Sequence, residues 1–163
     1  MSESQDNTEA AKAMSITLRD ARPEDEDFLF EVFRQSVGSE LAMFGDAILR
    51  MQFKAQLLTY SAEFPRADHQ IIMLGDRAIG RVLVERQEAE NRGVDIALLS
   101  EYRSGGIGRM LIQELLDEAA GAGKPFRISV VKGNPAIHLY ERLGFKTTGD
   151  TGTQFLMEWV ASE

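Results

Sequence analysis

The sequence predicts an α/β chain, with a mixed, mainly antiparallel twisted sheet of about seven strands flanked by about four helices. Three observations carry this. Short apolar or alternating runs recur along the chain, each bounded by glycine or polar residues. Two helical stripes lie together near the start, and two more are threaded between later strands, giving the order β-α-α-β-β-β-α-β-α-β-β. A cluster of glycines and arginines, Glu101 to Ile112 ("EYRSGGIGRMLI"), stands between a strand pattern and a helix pattern.

The elements follow in order. Residues 1–13 are polar and alanine-rich and read as a flexible tail, leaving 14–163 as a single domain. Ser15 to Ala21 alternates and suggests a first strand. Pro23 suits a first helical turn, and Glu24, Asp25 and Glu26 suit its positive dipole end. Phe28, Leu29, Val32 and Phe33 then recur at helical spacing. A second helix spans about Asp46 to Tyr60, with one stripe of Ile48, Met51, Ala55 and Leu58 and another of Phe53, Leu57 and Tyr60. A helix apolar on two sides is expected to sit deep in the core or to line a pocket. His69 to Leu74 and Ala78 to Glu85 form a hairpin about Gly75-Asp76-Arg77. Gly93 to Leu99 is the next strand. Ile107, Leu111, Ile112, Leu115, Leu116 and Ala119 make one helical stripe, ended by Gly121 to Gly123. Phe126 to Val131 reads as a buried strand. Asn134 and Pro135 open a short helix closed by Gly144, and Phe145–Thr148 and Thr153–Trp159 finish the sheet.

Composition excludes several classes. The net charge of −8 argues against a nucleic-acid binder. No apolar run is long enough to span a membrane, and the N-terminus has no secretory pattern. There is no cysteine, hence no disulfide and no thiolate nucleophile, and these features together favour the cytoplasm. His69 and His138 have no partner at metal-ligand spacing, so no metal is expected.

The glycine cluster points to an anion. A helix N-terminus leaves backbone N–H groups unpaired and carries partial positive charge. Glycine lets a phosphate approach that backbone, and Arg103 and Arg109 add forked donors. A Walker loop is absent, because the only Gly-Lys pair, Gly123-Lys124, precedes proline. The dinucleotide fingerprint lacks its third glycine at Leu111. A plain structural turn remains the alternative.

Arg103-Ser104-Gly105-Gly106-Ile107-Gly108 matches (Arg/Gln)-x-x-Gly-x-(Gly/Ala), and "NPAIHLYERLGF", Asn134 to Phe145, follows after the next strand. The chain thereby resembles the Gcn5-related N-acetyltransferase (GNAT) superfamily, most strongly from about Val94 to Phe145. Ser100 stands where members often carry proline. The resemblance implies a V-shaped split between strands 4 and 5 that receives acetyl-CoA as co-substrate. Leu98 and Leu99 would hold the pantetheine arm through their backbone, and an N–H near Leu98 would polarise the thioester. Ser104, Gly105, Gly106, Ile107 and Gly108 would cradle the pyrophosphate between Arg103 and Arg109. Asn134 and Ala136 would complete the cofactor site, with Asn134 also readable as a helix cap.

Tyr140 is the general acid that the resemblance implies: a phenol of ordinary pKa, about 10, is protonated at neutral pH and can give its proton to the departing thiolate. It is also readable as an aromatic on the buried face of a short helix. Asp95, a charge amid apolar strand neighbours, is the candidate base, with Glu85 second; an ion pair with Arg81 or Arg92 is the plainer reading of Asp95. Phe33, Phe53, Gln56 and Tyr60 are expected on the acceptor side. The sequence therefore implies direct acetyl transfer from thioester to amine. The acceptor would be a small-molecule or peptide amine, which the acidic surface tilts toward a cation. The resemblance also implies a homodimer as default. The alternative is a non-catalytic acyl-CoA sensor on the same fold.

Overall fold

A computed structural model describes residues 15–162. The expected tail, residues 1–13, lies outside the described residues. One seven-stranded sheet has the order β1-β2-β3-β4-β5-β7-β6. The chain folds as two compact units, one comprising the described residues up to Leu83 with Asp95–Gly108, the other Val84–Val94 with Arg109 onward.

The first unit begins with β1 (Ile16–Asp20), which pairs antiparallel with β2 (Asp68–Leu74) in a register that sets Ile16 opposite Leu74 and Asp20 opposite Gln70. A 3-10 turn, Pro23–Asp25, leads into α1 (Glu26–Ser36). Asp25 does more than meet the helix dipole. Its carboxylate accepts from the Arg22 N–H at 2.7 Å and from two nitrogens of Arg19 at 2.8 and 2.9 Å. A one-turn helix not expected from the sequence, α2 (Ser39–Ala42), precedes α3 (Asp46–Glu63), and with it the described residues form five α-helices. α1 and α3 bury Leu29, Phe30, Phe33, Leu49 and Phe53 against Ile71 of β2. Each such side chain contributes about 1.5–3 kcal/mol. Phe53 is fully buried, with ring centroids of Phe30 and Phe33 at 5.8 and 5.6 Å.

Only one of the two apolar stripes on α3 enters this core. Ile48, Met51, Ala55 and Leu58 are exposed, contrary to the expectation that both sides would be covered. β3 (Arg77–Arg86) and β4 (Asn91–Leu98) run on through both units. β4 starts at Asn91, earlier than expected, because Gln87 N–H closes the turn onto Glu90 O at 2.9 Å.

In the second unit β4 and β5 (Phe126–Val131) are parallel, connected in sequence through α4 (Ile107–Gly121). Their ladder is three pairs long, Asn91–Gly93 against Phe126–Ile128, although β4 continues to Leu98 and β5 to Val131. Gly93 is required at the end of that ladder: a Cβ there would lie 2.9 Å from the Phe126 ring and 3.0 Å from Ile128 Cγ2. β5 pairs along its whole length with β7 (Gln154–Trp159), and β6 (Lys146–Asp150) adds to β7 with a bulge between Thr147 and Gly149. α5 (Ala136–Arg142) lies between β5 and β6 in the chain.

Candidate active site

The glycine cluster follows β4 directly. Leu99 N–H donates to Ile79 O of β3 at 2.8 Å. Strand backbone alternates, so the N–H and C=O of Leu98 point away from β3. Leu98 O accepts from Arg103 Nε at 3.0 Å, and Arg103 Nη2 reaches Gln35 O at 3.2 Å. Gln35 also accepts the Ser100 N–H through Oε1 at 2.7 Å. Arg103 therefore fastens the loop to the end of β4 and to α1. That is a structural duty the sequence did not reveal, alongside the phosphate role expected of it.

Past a 3-10 turn at Ser100–Tyr102 the backbone turns left-handed twice, at Ser104 (φ 64°) and Gly106 (φ 86°). Position 106 favours glycine for that reason. Among the described residues, no N–H of Ser104, Gly105 or Gly106 donates to a main-chain carbonyl. The loop is exposed, while Ile107 is buried as the first residue of α4. Adjacent unpaired N–H groups at a helix start are the chemistry an anion needs, so these residues fit the pyrophosphate expected there. Arg109 is exposed on the first turn of α4.

Asp95 lies in a polar cluster inside the first unit. The Arg81 guanidinium, its side chain 3% exposed, donates through Nε to Asp95 Oδ2 at 3.1 Å and through Nη2 to the same oxygen. Nη2 also donates to Gln56 Oε1 at 3.0 Å, and the guanidinium carbon is 5.7 Å from the Tyr60 ring centroid. The ion pair considered from sequence is thus present. Asp95 Oδ1 has no partner among the described residues, and the side chain is 24% exposed. Burial, reinforced by the Asp95 charge, pushes the Tyr60 phenol up to about 12. A cavity of about 200 Å³ adjoins, lined by Leu57, Tyr60, Phe64, Pro65, His69 and Leu83. His69 is half-buried, its Nε2 has no partner among the described residues, and burial followed by the Arg81 charge holds its pKa below the usual imidazole value.

The structure brings together Gln56, Tyr60 and Asp95 of the expected residues. Phe33 and Phe53, expected on the acceptor side, are instead core residues, because the α1–α3 contact needs their rings more than a surface does. Arg81 and Gln35 are the residues sequence reasoning undervalued. Arg81 was visible as a lone charge in an apolar strand run, while nothing in the sequence marked Gln35.

In the second unit, Asn134 does not cap α5 from the position next to it. Its Oδ1 accepts the Ala136 N–H at 2.9 Å, and Pro135 occupies the cap position. Asn134 is exposed and its amide nitrogen faces no partner among the described residues. Tyr140 is half-buried, its ring 5.4 Å from that of Phe145 and nearly edge-on, and Phe145 packs in turn on Phe126 at 6.2 Å. Glu85 is buried and accepts from Gln87 Nε2 at 2.6 Å. Arg142 and His138 are exposed. Among the described residues no group of His, Cys, Asp and Glu is arranged to hold a metal ion, and no helix is long and apolar enough to cross a membrane.

A short parallel β4–β5 ladder, a glycine loop opening α4 and an Asn-Pro turn opening α5 are the features by which the chain resembles the GNAT class of acetyltransferases. The chain belongs to that family: the model for the acetyltransferase (GNAT) domain matches residues 65–147. No curated protein matches the chain closely enough to count as a relative. Solved structures share the fold. The PaiA N-acetyltransferase of Thermoplasma acidophilum, determined with coenzyme A, is 22% identical with a TM-score of 0.70, over 91% of this chain and 100% of that one. The ribosomal-protein-S18-alanine N-acetyltransferase of Escherichia coli is 19% identical with a TM-score of 0.64, over 91% and 95%. The spermidine/spermine N-acetyltransferase SpeG of Vibrio cholerae, determined with manganese ions, is 19% identical with a TM-score of 0.62, over 91% and 94%.

Proposed function

We propose that the chain is an acetyl-CoA-dependent N-acetyltransferase that moves the acetyl group directly from the CoA thioester to an amine. The observation that carries this reading is the run of unpaired N–H groups at Ser104, Gly105 and Gly106, at the start of α4. Acetyl-CoA supplies an activated acyl carbon and a leaving thiolate. The loop N–H groups and Arg109 hold its pyrophosphate. Of the two leucines expected to meet the pantetheine arm, Leu98 presents its N–H, directed away from β3, to the thioester oxygen, whereas the Leu99 N–H and C=O are taken by Ile79 O and the Tyr102 N–H. Asn134, whose amide nitrogen is left over from the bond its Oδ1 accepts from the Ala136 N–H, extends that arm's partners.

An alkylamine must lose a proton to become nucleophilic. Asp95 Oδ1 takes that proton, directly or through water, while Arg81 keeps the carboxylate oriented through Oδ2. The amine nitrogen bonds to the acyl carbon as the carbon–sulfur bond breaks, and Tyr140 gives its phenolic proton to the sulfur. With no cysteine in the chain, no acyl-cysteine intermediate is invoked. Gln56 and Tyr60 face the acceptor, a small-molecule or peptide amine.

Calorimetric titration tests the binding half of this reading. CoA should bind more tightly than ATP or NAD, and Gly106→Val should weaken CoA. Tighter binding of ATP or NAD would mark the loop as a general nucleotide site and overturn the proposal. Acyl-CoA binding with no amine acetylated would leave a sensor on the same fold.

A further inference from the structure

α3 has an uncovered face. Its exposed stripe comprises Met51 (66% exposed), Leu58 (73%), Ile48 (38%) and Ala55, and the turn before it adds Met43 (87%) and Phe44 (68%). Five of the eight large hydrophobic side chains exposed among the described residues fall in this one segment. Together they present on the order of 600 Å² of apolar surface, at the size where patches mark interaction sites.

The pattern identifies the occupant. Ile48, Met51, Ala55 and Leu58 are spaced three, four and three residues apart, which is the a–d–a–d spacing of a helix-pairing seam. It is also symmetric under reversal, exchanging Ile48 with Leu58 and Met51 with Ala55. A second copy of α3 laid antiparallel therefore sets a large side chain beside a small one at the centre, and Ile48 beside Leu58 at both ends. This is the reciprocal matching that a twofold interface demands. With Met43 and Phe44 of each copy covered together with the seam, two such faces would bury on the order of 1,200 Å², the lower end for a specific stable contact.

Charge agrees. The chain has 26 Asp and Glu, yet residues 47–62 contain none. Arg50 is turned toward its own unit, 3.5 Å from Asp27 and stacked 4.2 Å over the Phe30 ring. Lys54 is the other charge in the span. The first fourteen residues contain just two large apolar side chains, Met1 and Met14, too few to cover the stripe themselves.

We propose that α3 is a homodimer interface, an antiparallel twofold helix pair with Ile48, Met51, Ala55 and Leu58 as its seam. The inference stands apart from the acetyl-transfer reading. It bears on that reading at one place: Gln56 and Tyr60 lie on the opposite side of the same helix, so pairing would steady the element that carries them.

Light scattering on the full chain after gel filtration tests it. The expected mass is twice the 18.2 kDa of one chain. Met51→Lys and Leu58→Lys should each return the single-chain mass while staying folded, since both side chains are exposed, with a melting temperature that no longer depends on chain concentration. Lys54→Gln should tighten the dimer severalfold, because the pairing brings Lys54 near its symmetry mate. The chain has no cysteine, so orientation can be read from introduced ones. Ile48→Cys and Leu58→Cys chains should form a disulfide-linked dimer when mixed and oxidised. Ile48→Cys alone should not, its two sulfurs lying about 15 Å apart along the axis. A monomer at every concentration, including one that binds anionic vesicles instead, overturns the proposal. So does a dimer that survives both lysine variants, or a rapid cross-link in Ile48→Cys alone.

Discussion

Arg81 binds Asp95 through a single carboxylate oxygen, Oδ2, and leaves Oδ1 without a partner. A structural ion pair and a catalytic carboxylate usually compete as explanations of one residue. Here the geometry allows both, because the arginine is buried and fixed while the aspartate keeps an open oxygen. The two roles separate by substitution. Asp95→Asn keeps an acceptor for Arg81 and should lower kcat by about 100-fold on a responsive amine, with the folded state retained. Arg81→Met removes the partner of a part-buried carboxylate and should cost about 3 kcal/mol in urea unfolding. Full turnover by Asp95→Asn would remove Asp95 from the chemistry.

Tyr140→Phe keeps the ring that packs edge-on against Phe145 and removes only the hydroxyl. The expected outcome is a loss of about tenfold or more in kcat with CoA affinity unchanged, read by steady-state kinetics beside calorimetry. An equal loss of CoA affinity would make Tyr140 a binding residue.

Gly106 has φ 86° with nothing within 4 Å of an added Cβ. Gly106→Ala therefore acts through backbone strain rather than collision, and should cost about 1 kcal/mol of stability. If the strain is relieved by turning the loop, its N–H groups turn with it and CoA affinity falls further. Thermal melts with and without CoA measure the two effects separately.

Asp25 controls acid stability. Hydrogen bonding to Arg19, ahead of the Arg22 N–H, lowers its carboxyl to about 2. The unfolded chain would protonate it near 3.9. A depressed carboxyl stabilises the fold fully above the unfolded value, and that contribution drains as pH falls from about 3.9 toward 2. Asp25→Asn should be less stable than the parent at pH 7, and the gap should narrow through that acid window in urea titrations. A constant gap would show that the carboxylate charge is not the cause.

The parts of this molecule that could be read from sequence are those whose chemistry is local. Gly105, Gly106 and Gly108 before an apolar helical stripe announce a turn with free N–H groups, and Asn134-Pro135 announces a helix start, whatever the rest of the chain does. Periodicity shows which side of α3 is apolar but not whether anything lies against it. For that reason the Met51–Leu58 side was expected in the core or along a pocket and is exposed. The same limit moved Phe33 and Phe53 from the acceptor side to the interior: an aromatic ring suits either place, and only the crossing of α1 on α3 decides. Gln35 was invisible because its partner Ser100 lies 65 residues away. Arg81 could be named as a partner of Asp95, but the choice between it and Arg92 needed the packing of β3 beside β4.

The most direct measurement of the central claim follows acetyl-CoA turnover by free-thiol release while mass spectrometry records the amine. Polyamines and peptides with free N-termini are the acceptors. The account predicts one acetylated amine for each thiol released on at least one acceptor class, with the signal strongly reduced in Tyr140→Phe. Thiol release without any acetylated amine, or CoA binding without thiol release on every acceptor, would contradict it.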